Sequence, residues 1–396
     1  MKKILILGAS ILQLPAILKA KEMGFHVGVV DYNPEGIGVP FADIFFNVST
    51  IDADAVLRTA QEFKPRGIMT MATDMPMRAI ARATTALGLP GISPETALKA
   101  TDKGEMIKAF KSHGVEAPWF FIVISKDDLN NVKPNITFPC IMKPTDNAGS
   151  RGVMLVTSPA DVDSAYAYSR QHSRSGAVII EEYLNGREVS VEIMVVQGMV
   201  HILAVTDKLT TGAPHFVEMG HCQPSQLPDQ DLKKIKDLAK RAVRAVGIES
   251  GPAHVEIMLT REGPKMIELG ARMGGDCITS HLVPLSTGID MVKATIEVAT
   301  GQLPDLAPKF NRGSAIRYCD IRQGTIVGIT GVAEAKKISG IQEIVFTKKA
   351  GDRIGAIKSS TDRAGYVIAQ ADQAADAIAS CNEALACIRV ITDSEA

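Results

Sequence analysis

No stretch of this chain approaches the roughly 18 uninterrupted apolar residues that a membrane-spanning helix requires, which excludes such a span. Excess charge of one sign is missing too. The 43 basic and 44 acidic side chains leave a net charge of -1, so neither nucleic acid nor an anionic membrane is expected as a partner. Cysteine is sparse: Cys140, Cys222, Cys277, Cys319, Cys381 and Cys387 include no C-x-x-C pair. That fits reduced core thiols better than a zinc site or a disulfide framework, and a cytoplasmic location is expected. Internal repeats and low-complexity tracts are absent. The start, MKKILILGAS, is basic and then apolar, but its apolar run is too short for a secretory leader and reads as a buried first strand.

What is present is the composition of an ordinary globular protein, 46% hydrophobic and 22% charged over 396 residues. At roughly 100 to 200 residues per domain, about two to four units are expected. A strand Lys3 to Leu7, a helix Leu14 to Met23 and a strand His26 to Val30 ending at Asp31 open a βαβ pattern. A helix Asp54 to Phe63, a strand Gly67 to Met71 and a helix Pro76 to Leu87 continue it, which predicts a parallel sheet covered on both faces and ending near residue 95. Shorter strands follow at Phe120 to Ile124, Cys140 to Lys143, Val153 to Val156 and Val178 to Tyr183, with a helix Asp161 to Gln171. Past the Asn185-Gly186 turn signal the pattern changes to long alternating strands, Glu188 to Val196 and Val200 to Lys208, then a helix Asp229 to Val246, two more strands and a helix near Ile289 to Thr300. From about 310 onward, strands and a last helix, Ala371 to Ala386, suggest a small closing domain.

Three segments can carry chemistry. Gly8-Ala-Ser after the first strand lacks the glycines of G-x-G-x-x-G, since positions 10 and 13 are Ser and Gln; a plain strand-to-helix turn competes there with a dinucleotide site. Lys143-Pro-Thr-Asp-Asn-Ala-Gly-Ser-Arg-Gly-Val joins a strand-end lysine to a polar, glycine-containing loop that can wrap N–H groups around phosphate oxygens. An exposed hairpin loop is the alternative. The third is the hairpin His254 to Glu268. If its turn is the three-residue loop Arg261 to Gly263, Glu256 and Glu268 lie directly opposite at about 5 Å between Cβ atoms. Opposed carboxylates repel unless a cation lies between them, and hard oxygen ligands at that spacing suit Mg²⁺. A solvated strand face, or a one-residue slip, would remove the site. Arg272, in Gly270-Ala-Arg272-Met-Gly-Gly-Asp276, follows within four residues, where it can neutralise a phosphoryl group or grip a carboxylate.

Taken in order, these segments resemble the ATP-grasp superfamily over nearly the whole chain. The resemblance implies an α/β and α+β multidomain architecture: a preATP-grasp Rossmann-like domain (1–95), linker helices with the small ATP-grasp lobe and its lid (96–185), the large ATP-grasp lobe (186–308) and a C-terminal closing domain (309–396). It implies ATP contacts from Lys103, Lys143 and the lid residues Gly149, Ser150 and Gly152, an adenine hinge at Glu181, Glu182, Tyr183 and Leu184, and ribose contact from Glu188. Glu256 and Glu268 match its magnesium-binding glutamates, with Mn²⁺ as a substitute ion, and Arg272 matches its arginine near the γ-phosphate. One position departs: many relatives read E-x-N-x-R, with the Asn a metal ligand, where this chain has Gly270. That places it nearer the amino-acid and dipeptide ligases.

The resemblance further implies that a carboxylate is activated as an acyl phosphate and passed to an amine, with Arg272 and Lys208 stabilising the developing charge. His215, Glu218 and His221 in the segment Thr206 to His221, together with His254, Gly274 and Gly275, are candidates to face the substrates; the histidines are equally readable as plain loop residues. Rival readings are a purine-pathway or carboxylase-like enzyme using formate or bicarbonate, a nucleotide-binding regulator without turnover, and an NAD-dependent oxidoreductase. Homodimerisation is the default expectation.

Overall fold

The computed structural model describes residues 2–147, 149 and 151–394. The apolar run β1 (Lys3–Leu7) lies in the middle of a parallel sheet, followed by α1 (Leu14–Glu22), β2 (His26–Asp31), β3 (Ile44–Asn47), α2 (Ala53–Phe63), β4 (Gly67–Met69) and α3 (Met77–Leu87). The order is β3-β2-β1-β4, and β1 is buried because it has a partner on each side. The strand β3 was not foreseen: it is four residues long, sits at the edge and is half-exposed, so it carries no alternation to read. Asp52 caps α2 by accepting from the Ala55 N–H, and the helix ends where Lys64 turns left-handed.

Two helices, α4 (Pro94–Thr101) and α5 (Lys103–Ser112), lead into the small lobe. There β5 (Phe120–Val123), α6 (Lys126–Val132), β6 (Cys140–Pro144), β7 (Met154–Val156), α7 (Val162–Gln171) and β8 (Val178–Glu182) form an antiparallel sheet ordered β5-β8-β6-β7. The large lobe begins with β9 (Arg187–Val196), β10 (Met199–Thr210) and β11 (Glu218–Gln223), then α8 (Asp229–Val246) and the hairpin β12 (Gly251–Thr260) and β13 (Gly263–Gly270). Of these, α8 has an apolar stripe, Ile235, Leu238, Ala239, Ala242, Val243 and Val246, that is wholly buried. Each of its larger side chains contributes about 1.5–3 kcal/mol, and the left-handed Gly247 stops the helix.

The short α9 (Val283–Thr287) and α10 (Met291–Ala299) precede the last unit: β14 (Gly313–Tyr318), β15 (Gly324–Thr330), α11 (Val332–Ala335), β16 (Ile341–Phe346), β17 (Arg353–Ile354), β18 (Gly365–Ala371), α12 (Ala374–Cys387) and β19 (Arg389–Thr392). Three of its strands continue the large-lobe sheet, which runs β13-β12-β9-β10-β11-β14-β18-β16. Register pairs such as His221 with Ile316 therefore fix this unit against the wall of the cleft. Among the described residues no helix is long and apolar enough to cross a membrane.

Candidate active site

A cavity of about 620 Å³ opens where the small sheet, the large sheet, the segment after β4 and the last unit meet. From β6, Lys143 points its largely buried ammonium at Glu181 of β8, 2.5 Å away. Lys103 is the first residue of α5, placed there because Asp102 caps that helix through the Glu105 N–H. Its Nζ lies 3.0 Å from Glu268 and donates to the Asn147 carbonyl at 2.9 Å, tying the loop after β6 to the helix start.

The hairpin β12–β13 brings Glu256 and Glu268 face to face, but not through the turn expected. Thr260 pairs with Gly263, so the loop is the two residues Arg261 and Glu262; that register alone would set Ile267 opposite Glu256. A bulge between Glu256 and Ile257 admits the extra residue and restores the Glu256–Glu268 pair. The one-residue error in loop length and the unforeseen bulge cancel, and no local signal in the sequence marks the bulge.

Behind the pair, Lys208 of β10 is a buried hub, 2.5 Å from Glu188, 3.2 Å from Glu256 and 3.5 Å from Glu218. Burial pulls its ammonium down, yet the three carboxylates outweigh it and hold Lys208 well above the usual lysine range. Burial pushes Glu188 up. Glu256 is held well below the usual range despite burial, by Lys208, His254 and Arg272. Glu268 is lowered likewise, chiefly by Lys103. His254 has Nδ1 2.9 Å from Glu192 and Nε2 3.2 Å from Glu256, and these carboxylates overcome its burial to raise it to about 9. Both ring nitrogens then donate, so His254 lines the cavity as an imidazolium orienting Glu256.

Arg272 forks onto Asp74, with Nε to Oδ1 and Nη2 to Oδ2 both at 3.0 Å. At another wall is Asp276; behind it Arg363 donates from Nη1 and Nη2 to its two oxygens at 2.7 Å and lies over Tyr318, 3.7 Å from its centroid. The Nε2 of His221 is 3.3 Å from Asp276. Its Nδ1 is one of two buried side-chain atoms, among the described residues, with no hydrogen-bond partner.

Residues 136–280 match the model of the ATP-grasp domain, and residues 317–393 that of the L-amino acid ligase C-terminal domain 2. The chain carries an ATP-grasp domain followed by an L-amino acid ligase C-terminal domain. It is 28% identical over 268 residues to an alanine–anticapsin ligase of Bacillus subtilis, an alignment covering 62% of this chain and 56% of that one. An uncharacterized protein of Sinorhizobium fredii is 26% identical over 316 residues, 78% of this chain and 65% of that one. The chain thus spans between about half and two thirds of these curated relatives. In fold it is similar to an L-amino acid ligase from Bacillus licheniformis, with a TM-score of 0.85, 23% identity and 99% of both chains covered.

Within this ATP-grasp protein, most of the anticipated residues share the cavity: Lys103, Lys143, Gly149, Glu181 to Leu184, Glu188, Lys208, Glu218, His254, Glu256, Glu268, Arg272 and Gly275. The side chains of Glu181 and Glu182 are engaged with Lys143 and Lys265, which leaves backbone at this hinge for a ligand. Three anticipated residues stand elsewhere. Gly152 is a left-handed turn packed on His172 and Pro144. Gly274 backs His254, whose Nδ1 a Cβ there would meet at 2.7 Å. His215 is exposed in the loop between β10 and β11 and does not line the cavity. Ser150 and Ala148 of the expected lid lie outside the described residues. Sequence reasoning gave no role to Asp74, Arg363 or Ser360, nor to Asp276 at the end of the Arg272 segment; tertiary packing from distant segments brings them together.

ATP-grasp ligases use ATP and a divalent metal, and the donor set fits such an ion. Glu256 and Glu268 are hard oxygen ligands, both kept ionised, and Lys208 and Lys103 offset their charge. No third carboxylate, thiolate or imidazole completes a cage among the described residues. An ion shared with phosphate oxygens and water needs none.

Proposed function

We propose that the protein is an ATP-dependent carboxylate–amine ligase that joins an amino acid to a second substrate through an acyl phosphate, releasing ADP and phosphate. The observation that carries this reading is the convergence of Lys103, Lys143, Glu256, Glu268 and Arg272, from four separate elements and the segment after β13, on one cavity. The L-amino acid ligase C-terminal domain supports the amino-acid substrate class.

On this reading Lys103, Lys143 and the loop around Gly149 hold the phosphates. The chain at Glu182 to Leu184 receives the adenine, and Glu188 the ribose. Mg²⁺ bound by Glu256 and Glu268 would screen phosphate charge. A carboxylate oxygen attacks the γ-phosphorus as its bond to the ADP oxygen breaks; the amine then attacks the acyl carbon, loses a proton, and phosphate leaves. Arg272 meets the charge that develops on the transferring group. Lys208 touches three carboxylates and acts through them, keeping Glu188 and Glu256 aligned. Glu218, His221 and Asp276, which line the same cavity, would meet an amino-acid substrate there, with Arg363 holding Asp276 from behind.

The test is phosphate release from ATP and Mg²⁺ across single and paired amino acids and small carboxylates, with Glu268→Ala as control. Release that needs a particular pair and is lost in the variant supports the ligase. Tight ATP binding with no release from any pair points instead to a regulator.

A further inference from the structure

Arg272 sits on the segment after β13, but the group that holds it comes from the N-terminal sheet. Asp74 follows β4, nearly two hundred residues earlier, and grips the guanidinium along its Nε–Nη2 edge. Both side chains are mostly buried, 12% and 20% exposed. The grip leaves Nη1 with only a 3.4 Å contact to the Met273 carbonyl, so the far edge of the fork is free for the cavity that both residues line.

Position 270 explains how the pair fits. Gly270 is not among the glycines with positive φ, so its backbone does not require glycine. A Cβ there would nevertheless stand 2.7 Å from Asp74 Oδ1 and 2.9 Å from Arg272 Cζ. The strand end is bare because the ion pair lies flat against it. A second cavity, about 410 Å³, shares Asp74, Lys103 and Glu268 with the first, so removing the Asp74 carboxylate opens space into which the guanidinium can turn.

We propose that Asp74 is a positioning residue for Arg272, fixing the plane of its guanidinium across the cavity, and that Gly270 is the gap this clamp needs. The proposal rests on the ligase reading, in which Arg272 meets the transferring phosphoryl group. A displacement of about 1 Å costs on the order of a hundredfold in rate, so the clamp acts on kcat rather than on nucleotide binding.

The experiment compares Asp74→Ala, Asp74→Glu, Gly270→Ala and the double variant Asp74→Ala/Gly270→Ala. Expected are a fall of roughly ten- to a hundredfold in kcat for Asp74→Ala with KM for ATP within about threefold, partial recovery in Asp74→Glu, and a loss in Gly270→Ala that vanishes when Asp74 is already Ala. An unchanged kcat in Asp74→Ala, or losses that simply multiply in the double variant, overturns the proposal. Wild-type protein without turnover would instead defeat the ligase reading. Thermal unfolding then still decides the clamp: Gly270→Ala lowers Tm in the wild-type background but not beside Asp74→Ala, and additive falls in Tm contradict it.

Discussion

On the small-lobe side of the cavity each lysine has one carboxylate, Lys143 with Glu181 and Lys103 with Glu268. On the large-lobe side Lys208 has three, and Asp74 and Asp276 at the walls are each locked onto an arginine, Arg272 and Arg363, through two hydrogen bonds. On the proposed function a single pair would be exchanged for phosphate, because an incoming anion replaces one partner. Networks cannot be exchanged cheaply: removing one member strands several buried charges. One side of the cavity is built to trade partners, the other to hold shape.

The comparison can be broken from either side. Glu268→Gln removes a carboxylate that the proposed function sets toward the phosphates, and phosphate release should fall about a thousandfold, roughly 4 kcal/mol, while the fold survives; steady-state assay beside circular dichroism checks both. Lys208→Met should act on the fold itself. With the ammonium gone, Glu188, Glu218 and Glu256 face one another, and denaturant unfolding should show a loss of roughly 3 kcal/mol or more.

Arg363→Gln tests the pair behind the Asp276 wall. Burial alone would raise Asp276, but Arg363 and His221 hold its carboxyl well below its ordinary 3.8. A depressed carboxylate contributes stability above its unfolded pKa and loses it as pH falls toward the folded value. The variant should therefore be less stable than wild type near neutrality by about 1–3 kcal/mol, and the gap in Tm should narrow as pH drops below about 4. The smallest effect belongs to His215→Ala: the side chain is exposed and away from the cavity wall, so stability should change by less than about 0.5 kcal/mol and turnover hardly at all. A large loss of turnover would mean that the loop between β10 and β11 folds over bound substrate.

The same contrast explains what the sequence disclosed. The exchangeable side was the more legible: Lys143 at a strand end and Glu256 and Glu268 in one hairpin sit in short local patterns, whereas Lys103 was singled out only through the family resemblance. Helix α8 was read to its exact limits from its stripe and Gly247. The locked side was mostly hidden. Asp74 meets Arg272 across 198 positions and Arg363 meets Asp276 across 87, pairings that no periodicity encodes. The continuity of the last unit with the large-lobe sheet was equally invisible, since register between distant strands leaves no mark in either one. Even the central carboxylate pair was reached through a wrong turn, corrected by a bulge.

The most direct test of the account follows oxygen. With a substrate whose carboxylate carries heavy oxygen, an acyl phosphate requires that one labelled atom leave in the inorganic phosphate, with ADP as the other product. Label recovered in phosphate at one atom per amide formed is the predicted result; AMP and pyrophosphate, or phosphate free of label, would contradict it.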